Sequence, residues 1–151
     1  MKIQHIITTA AMVALPLSAQ TSAPAAPATT PVEQTPAFAT PAQVVEALMA
    51  ALTRLCDTLD ACTPENAEQS AATVRESIDT IVKVRTAVQS GVFNMDDLLK
   101  AVVANEAELG KRSIRMDKSV EAFMERAGKD TTGRMKTVIS PEELYKAFGL
   151  D

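Results

Sequence analysis

The chain has 151 residues, 15 lysines and arginines against 19 aspartates and glutamates, a net charge of −4 and 46% hydrophobic residues. After an expected export segment that length suffices for one domain with a single core. Its one histidine, His5, falls in that segment, so the remaining chain has no imidazole for general-base, Ser/His, Cys/His or histidine-metal chemistry. It also has no tryptophan and one tyrosine, which leaves few stacking platforms for sugars or bases.

Residues 1–19 read as a secretory signal. Lys2 supplies the positive start, Ile6 to Leu17 the apolar run, and small residues follow through Ala19 and Ala23, where cleavage is expected. The run is about a dozen residues where a membrane span needs about 20, and Pro16 interrupts it. No cysteine follows to carry a lipid. The expected product is soluble and periplasmic or secreted, from a bacterium. Residues 20–40 are rich in Ala, Pro and Thr, too poor in apolar side chains to fold alone, and read as a disordered linker. A spacer explains this composition better than a glycan-bearing or attached stalk. Phe38 is the one linker residue able to dock on the folded part.

Residues 41–151 form the predicted helical domain. Helix one is predicted from Pro41 to Asp60, with a stripe of Val45, Leu48, Leu52, Leu55 and Leu59. Helix two is predicted from Pro64 to Gln89 through Ala67, Ala71, Val74, Ile78, Ile81 and Val88, and helix three from Met95 to Ala127 through Leu99, Val102, Leu109, Met116, Val120 and Phe123. Thr40-Pro41, Thr63-Pro64 and Ser140-Pro141-Glu142-Glu143 are N-terminal signals, as is Asn94. Gly91, Gly128 and Gly149 mark stops.

Short connections predict an all-α, three-helix up-down antiparallel bundle with a long third helix and a short C-terminal helix folded back on it. At 1.5 Å per residue helix one spans about 30 Å and helix three about 50 Å. Met116, Val120, Phe123 and Met124 therefore need another cover. The final segment, with Val138, Ile139, Leu144, Tyr145, Phe148 and Leu150, can return over them. A second chain would do the same, which makes the four residues a candidate interaction surface and the third helix a candidate homodimer contact.

Cys56 and Cys62 are the only cysteines, and an exported pair is usually oxidised. A disulfide between them requires helix one to end near Asp60, because six residues of continuous helix separate them by about 9 Å. A redox pair is disfavoured by the C-x5-C spacing and by Asp57 and Asp60 alongside.

Gly128 to Met135 has the glycine spacing of a phosphate-binding loop, but Arg134-Met135 stands where Lys-Ser/Thr is needed. Carboxylates at helical spacing, Glu65/Glu68, Glu76/Asp79 and Glu121/Glu125, read as solvated faces, and the methionines as core packing. No cofactor, metal or catalytic residue is predicted. Bases cluster toward the end of helix three while acids cluster from Asp57 to Asp79. Lys111, Arg112, Arg115 and Lys118 either meet those acids within the molecule, the favoured reading, or form an anion-binding patch. Nucleic acid is not an expected ligand.

No motif identifies a family. Size, expected compartment and helix content are similar to those of helical periplasmic chaperones of the Spy and CpxP kind, but Leu52-Thr53-Arg54-Leu55-Cys56 ends in cysteine where their Leu-Thr-x-x-Gln signature has glutamine. The expected function is a non-enzymatic interaction or structural domain that binds another cell-envelope protein. A periplasmic chaperone is the alternative, and a carboxylate-based enzyme a more distant third.

Overall fold

The computed structural model describes residues 37–149. The expected signal sequence, His5, the linker up to residue 36 and Leu150 lie outside the described residues. Within them the chain is all-helical, with 79% helix and no strand. Five α-helices follow in order: α1 Pro41–Ala61, α2 Ala67–Gln89, α3 Met95–Ala104, α4 Glu106–Lys129 and α5 Pro141–Phe148, with a 3-10 turn at Met135–Thr137 before the last.

α1 begins where a hydroxyl and a proline meet. The Gln43 N–H donates to Thr40 Oγ1 (3.3 Å), and Gln43 Oε1 in return accepts from the Ala39 N–H (2.8 Å). These bonds satisfy donors that a helix start leaves open, while Pro41 has no N–H to lose. α1 is the hub of the molecule, packing against α2, α4 and α3. Leu52, Leu55 and Leu59 are fully enclosed at its centre.

The corner between α1 and α2 departs from the predicted Thr63-Pro64 start. The helix begins at Ala67, and Asn66 organises the turn. Its Oδ1 accepts from the Thr63 N–H (2.8 Å) and its Nδ2 donates to the Ala61 carbonyl (3.0 Å). The Asn66 side chain thus closes α1 and holds the turn, while its backbone carbonyl accepts the Ser70 N–H (2.9 Å) at the start of α2.

The predicted third helix is divided at Asn105. There φ is −114° and ψ 10°, and the backbone N–H turns to the Val102 carbonyl three residues back (3.0 Å). The Asn105 side chain donates to the Ala101 carbonyl (2.9 Å). Asparagine competes with the helix for its own hydrogen bonds, and here the competition breaks the rod into α3 and α4. Gly128, a predicted stop, instead lies within α4. The chain turns at Asp130, whose carboxylate accepts from the N–H groups of Thr132 (2.8 Å) and Met135 (2.9 Å).

Two clusters make up the interior. The larger joins Leu52, Leu55 and Leu59 of α1 to Val74 and Ile81 of α2, Met116 and Phe123 of α4, and Met135, Val138, Ile139, Leu144 and Ala147 of the C-terminal segment. The smaller unites Val44, Val84 and Leu98, with Phe38, Leu48, Val88 and Phe93 packed against it. α5 opens with the full capping box foreseen at Ser140, whose N–H donates to Glu143 Oε2 (2.9 Å) and whose Oγ accepts from the Glu143 N–H (3.2 Å). It closes on Gly149, in the left-handed region at φ 72°, where a side chain would also press on Arg85 at 3.1 Å. Arg85 donates to the Lys146 and Ala147 carbonyls, fastening α5 to α2.

Candidate interaction surface

The four residues expected to need a cover are separated by the fold. Met116 and Phe123 are enclosed, Val120 is half-buried against the larger cluster, and Met124 is 41% exposed. The cover is the C-terminal segment of the same chain, because Met135, Val138, Ile139 and Leu144 share their cluster. Met116 and Phe123 are therefore core side chains with no face left for a partner.

The cysteines are not linked. Cys56 and Cys62 are buried free thiols, which corrects the expected disulfide. α1 runs through Ala61 and makes Cys62 its C-terminal cap, so the helix holds the two about 9 Å apart along its axis, beyond the span of a bridge. Burial pushes the Cys56 thiol above its ordinary range, against the opposing effects of a Ser119 hydrogen bond and the nearby Arg115. A thiol so held stays protonated at neutral pH and is a poor nucleophile.

Of the basic residues of α4, Arg115 faces the acids of α1. Arg115 donates to Asp57 and, at 3.1 Å, to Asp60. Arg112 donates to Thr53 Oγ1 at 2.7 Å, and Lys111 pairs with Glu108 at 2.8 Å. Lys118 is exposed. Three of the four expected patch residues are thus engaged within the chain. The shallow cavity beside them, lined by Leu52, Thr53, Cys56, Glu108, Lys111, Arg112 and Arg115, has a volume of about 180 Å³. That is below the roughly 300 Å³ at which ligand pockets usually begin. Among the described residues no group of three or more histidines, cysteines, aspartates or glutamates is placed to hold a metal. The lowered carboxyls are likewise local: Lys111 holds Glu108 below the usual range, Lys129 does the same for Glu125, and Thr132 with Met135 does it for Asp130.

The surface feature that stands out is on α3. Val92, just before it, is 60% exposed, and Met95, Leu99 and Val103 are 47%, 57% and 59% exposed. Steps of four residues put the last three on one face. Leu98 is the only buried residue of this helix, so Leu99, predicted to lie in the core, points outward. The signal was present in the sequence: Met95, Leu98, Leu99, Val102 and Val103 are more apolar positions than one core-facing stripe requires. Periodicity alone does not say which of two adjacent apolar faces is covered.

Comparison with family models, with curated proteins and with solved structures finds no match to this chain.

Proposed function

We propose that this protein is an exported, non-enzymatic interaction domain that docks a protein of the cell envelope through the outer face of α3. The observation that carries the reading is the exposure of Met95, Leu99 and Val103 on one face of a short helix, with Val92 exposed just before it. Contiguous exposed apolar residues of this size characterise binding surfaces, whereas scattered single ones do not. Export rests on the signal features of residues 1–19, and the linker up to residue 40 then serves as a spacer.

The body that presents this face is proposed to be the up-down three-helix bundle, with α3 and α4 together as its third rod. Links between helices support it. Arg54 of α1 pairs with Glu76 of α2 at 2.7 Å, while Thr53, Asp57 and the Asp60 carbonyl of α1 meet Arg112, Arg115 and Arg126 in the same order along α4. That order fits rods one and three running in the same direction.

Affinity capture from an envelope extract tests the function. The full-length protein is expected to retain a defined partner that the Leu99→Asp variant loses. Retention of many unrelated proteins, with suppression of their aggregation, would favour a chaperone instead. Capture unaffected by charges placed at Leu99 and Val103 would remove α3 from the reading.

A further inference from the structure

We propose that the partner of the α3 face is a second copy of this chain, docked antiparallel across a two-fold axis at Leu99. The inference rests on the assignment of that face as a docking surface and adds the identity of its occupant. Its basis is the charge pattern beside the apolar stripe. Asp96 and Lys100 each follow a stripe residue, Met95 and Leu99, by one position. At 3.6 residues per turn they lie on the same flank. Both are exposed, and Lys100 makes only a surface pair with Asp97, at 3.3 Å, with 77% of its side chain open to solvent.

A two-fold axis at Leu99 sets Met95 of one copy against Val103 of the other and Leu99 against itself. The acid-bearing flank of one helix then faces the same flank of its mate, running the opposite way. Asp96 comes level with Val102 of the second copy, two residues, or about 3 Å along the axis, from that copy's Lys100. Both such pairs form at once, because a two-fold interface repeats every contact. A parallel two-fold pairing would carry the two Asp96/Lys100 flanks to opposite sides of the seam and leave these charges unpaired across it, so only the antiparallel orientation uses the pattern. Antiparallel helices also oppose their dipoles. With about three turns of helix in contact, the interface is small, and the dimer is expected to be dynamic and concentration-dependent.

Sedimentation of the full chain from micromolar to millimolar concentration tests this. The wild type is expected to pass from monomer to dimer, and Leu99→Asp to remain monomeric with unchanged helicity. Asp96→Lys and Lys100→Asp, each placing like charges across the axis, are each expected to raise the dissociation constant about tenfold. The double variant restores opposite charges and should return to within about threefold of the wild type. Should Leu99→Asp lose helicity, Val103→Lys at the rim of the stripe gives the same reading. A wild type monomeric throughout, or a double variant as weak as the single ones, overturns the two-fold dimer. If the wild type stays monomeric while Leu99→Asp abolishes capture of an envelope protein, the docking face stands and only its occupant changes. If neither self-association nor capture depends on α3, both readings fall.

Discussion

Cys56 and Arg126 show how single side chains govern the end of α1. Cys56 is enclosed between α1 and α4, and its raised thiol pKa makes slow reaction in the native state the expected behaviour. Alkylation without reduction should modify both cysteines once the protein is denatured and modify Cys56 slowly before that, as mass spectrometry would reveal. A chain that takes up no label in denaturant would be bridged, and α1 would have to end earlier than Ala61. Arg126 donates to the Asp60 carbonyl at 3.1 Å, an acceptor that the helix end leaves open, and also to the Leu59 carbonyl, which it shares with the Cys62 N–H. Arg126→Ala is expected to cost about 1–2 kcal/mol in urea unfolding, the range for a charge-assisted hydrogen bond lost from a partly buried site. Arg115→Ala should cost less than about 1 kcal/mol, since its pairs with Asp57 and Asp60 are open to water.

At the scale of elements, the C-terminal segment decides whether the end of α4 is core or surface. Phe123 is 1% exposed beneath it, whereas its neighbour Met124 faces solvent. Phe123→Ala should therefore destabilise by about 3–5 kcal/mol, and Met124→Ala by no more than about 0.5 kcal/mol, a contrast that thermal or denaturant unfolding resolves. Equal effects would mean that the segment does not seat as described. Ser140→Ala removes the hydroxyl of the α5 capping box and should cost about 1 kcal/mol. The lid was legible in the sequence because Ser140-Pro141-Glu142-Glu143 announces a helix and the apolar residues after it need a surface. The division of the third helix was not, since Asn105 is polar enough to sit on any exposed helical face. Only its hydrogen bond to Ala101 and the turned backbone show it ending one helix.

For the whole molecule, titration follows from what the described chain contains. Residues 37–149 have no histidine, so stability should vary little between about pH 6 and 8. Glu65, Glu108, Glu125, Asp130 and Glu143 all have lowered pKa values. A carboxyl depressed in the folded state stabilises it above the unfolded value, near about 4, and the contribution disappears as pH falls through the folded values. Cys56 has the opposite sign: its raised thiol favours the folded state below about pH 8.5–9 and ceases to do so as pH climbs through its folded value. Urea midpoints measured across pH should thus form a plateau with an acid shoulder below about pH 4 and an alkaline one above about 9. A step within the plateau would require a titrating group other than those described between residues 37 and 149.

Composition and periodicity alone determined that the described chain is helical, where most of its helices begin, and that residues 37–149 contain no histidine. These properties are local or arithmetical: a capping box needs four residues, a stripe needs one repeat, and an absent side chain is absent in any fold. Tertiary structure decided which face of each helix was covered. α3 carries apolar residues on two adjacent faces, and its packing against Val44 of α1 and Val84 of α2 buries Leu98 and leaves Leu99 outside. α1 holds its helix through Ala61 because Asn66 and Arg126 satisfy its end, and that continuity keeps Cys56 and Cys62 apart. Arg115 of α4 binds acids 58 and 55 residues earlier in the chain, a pairing set by the distance between helices rather than by any repeat in sequence.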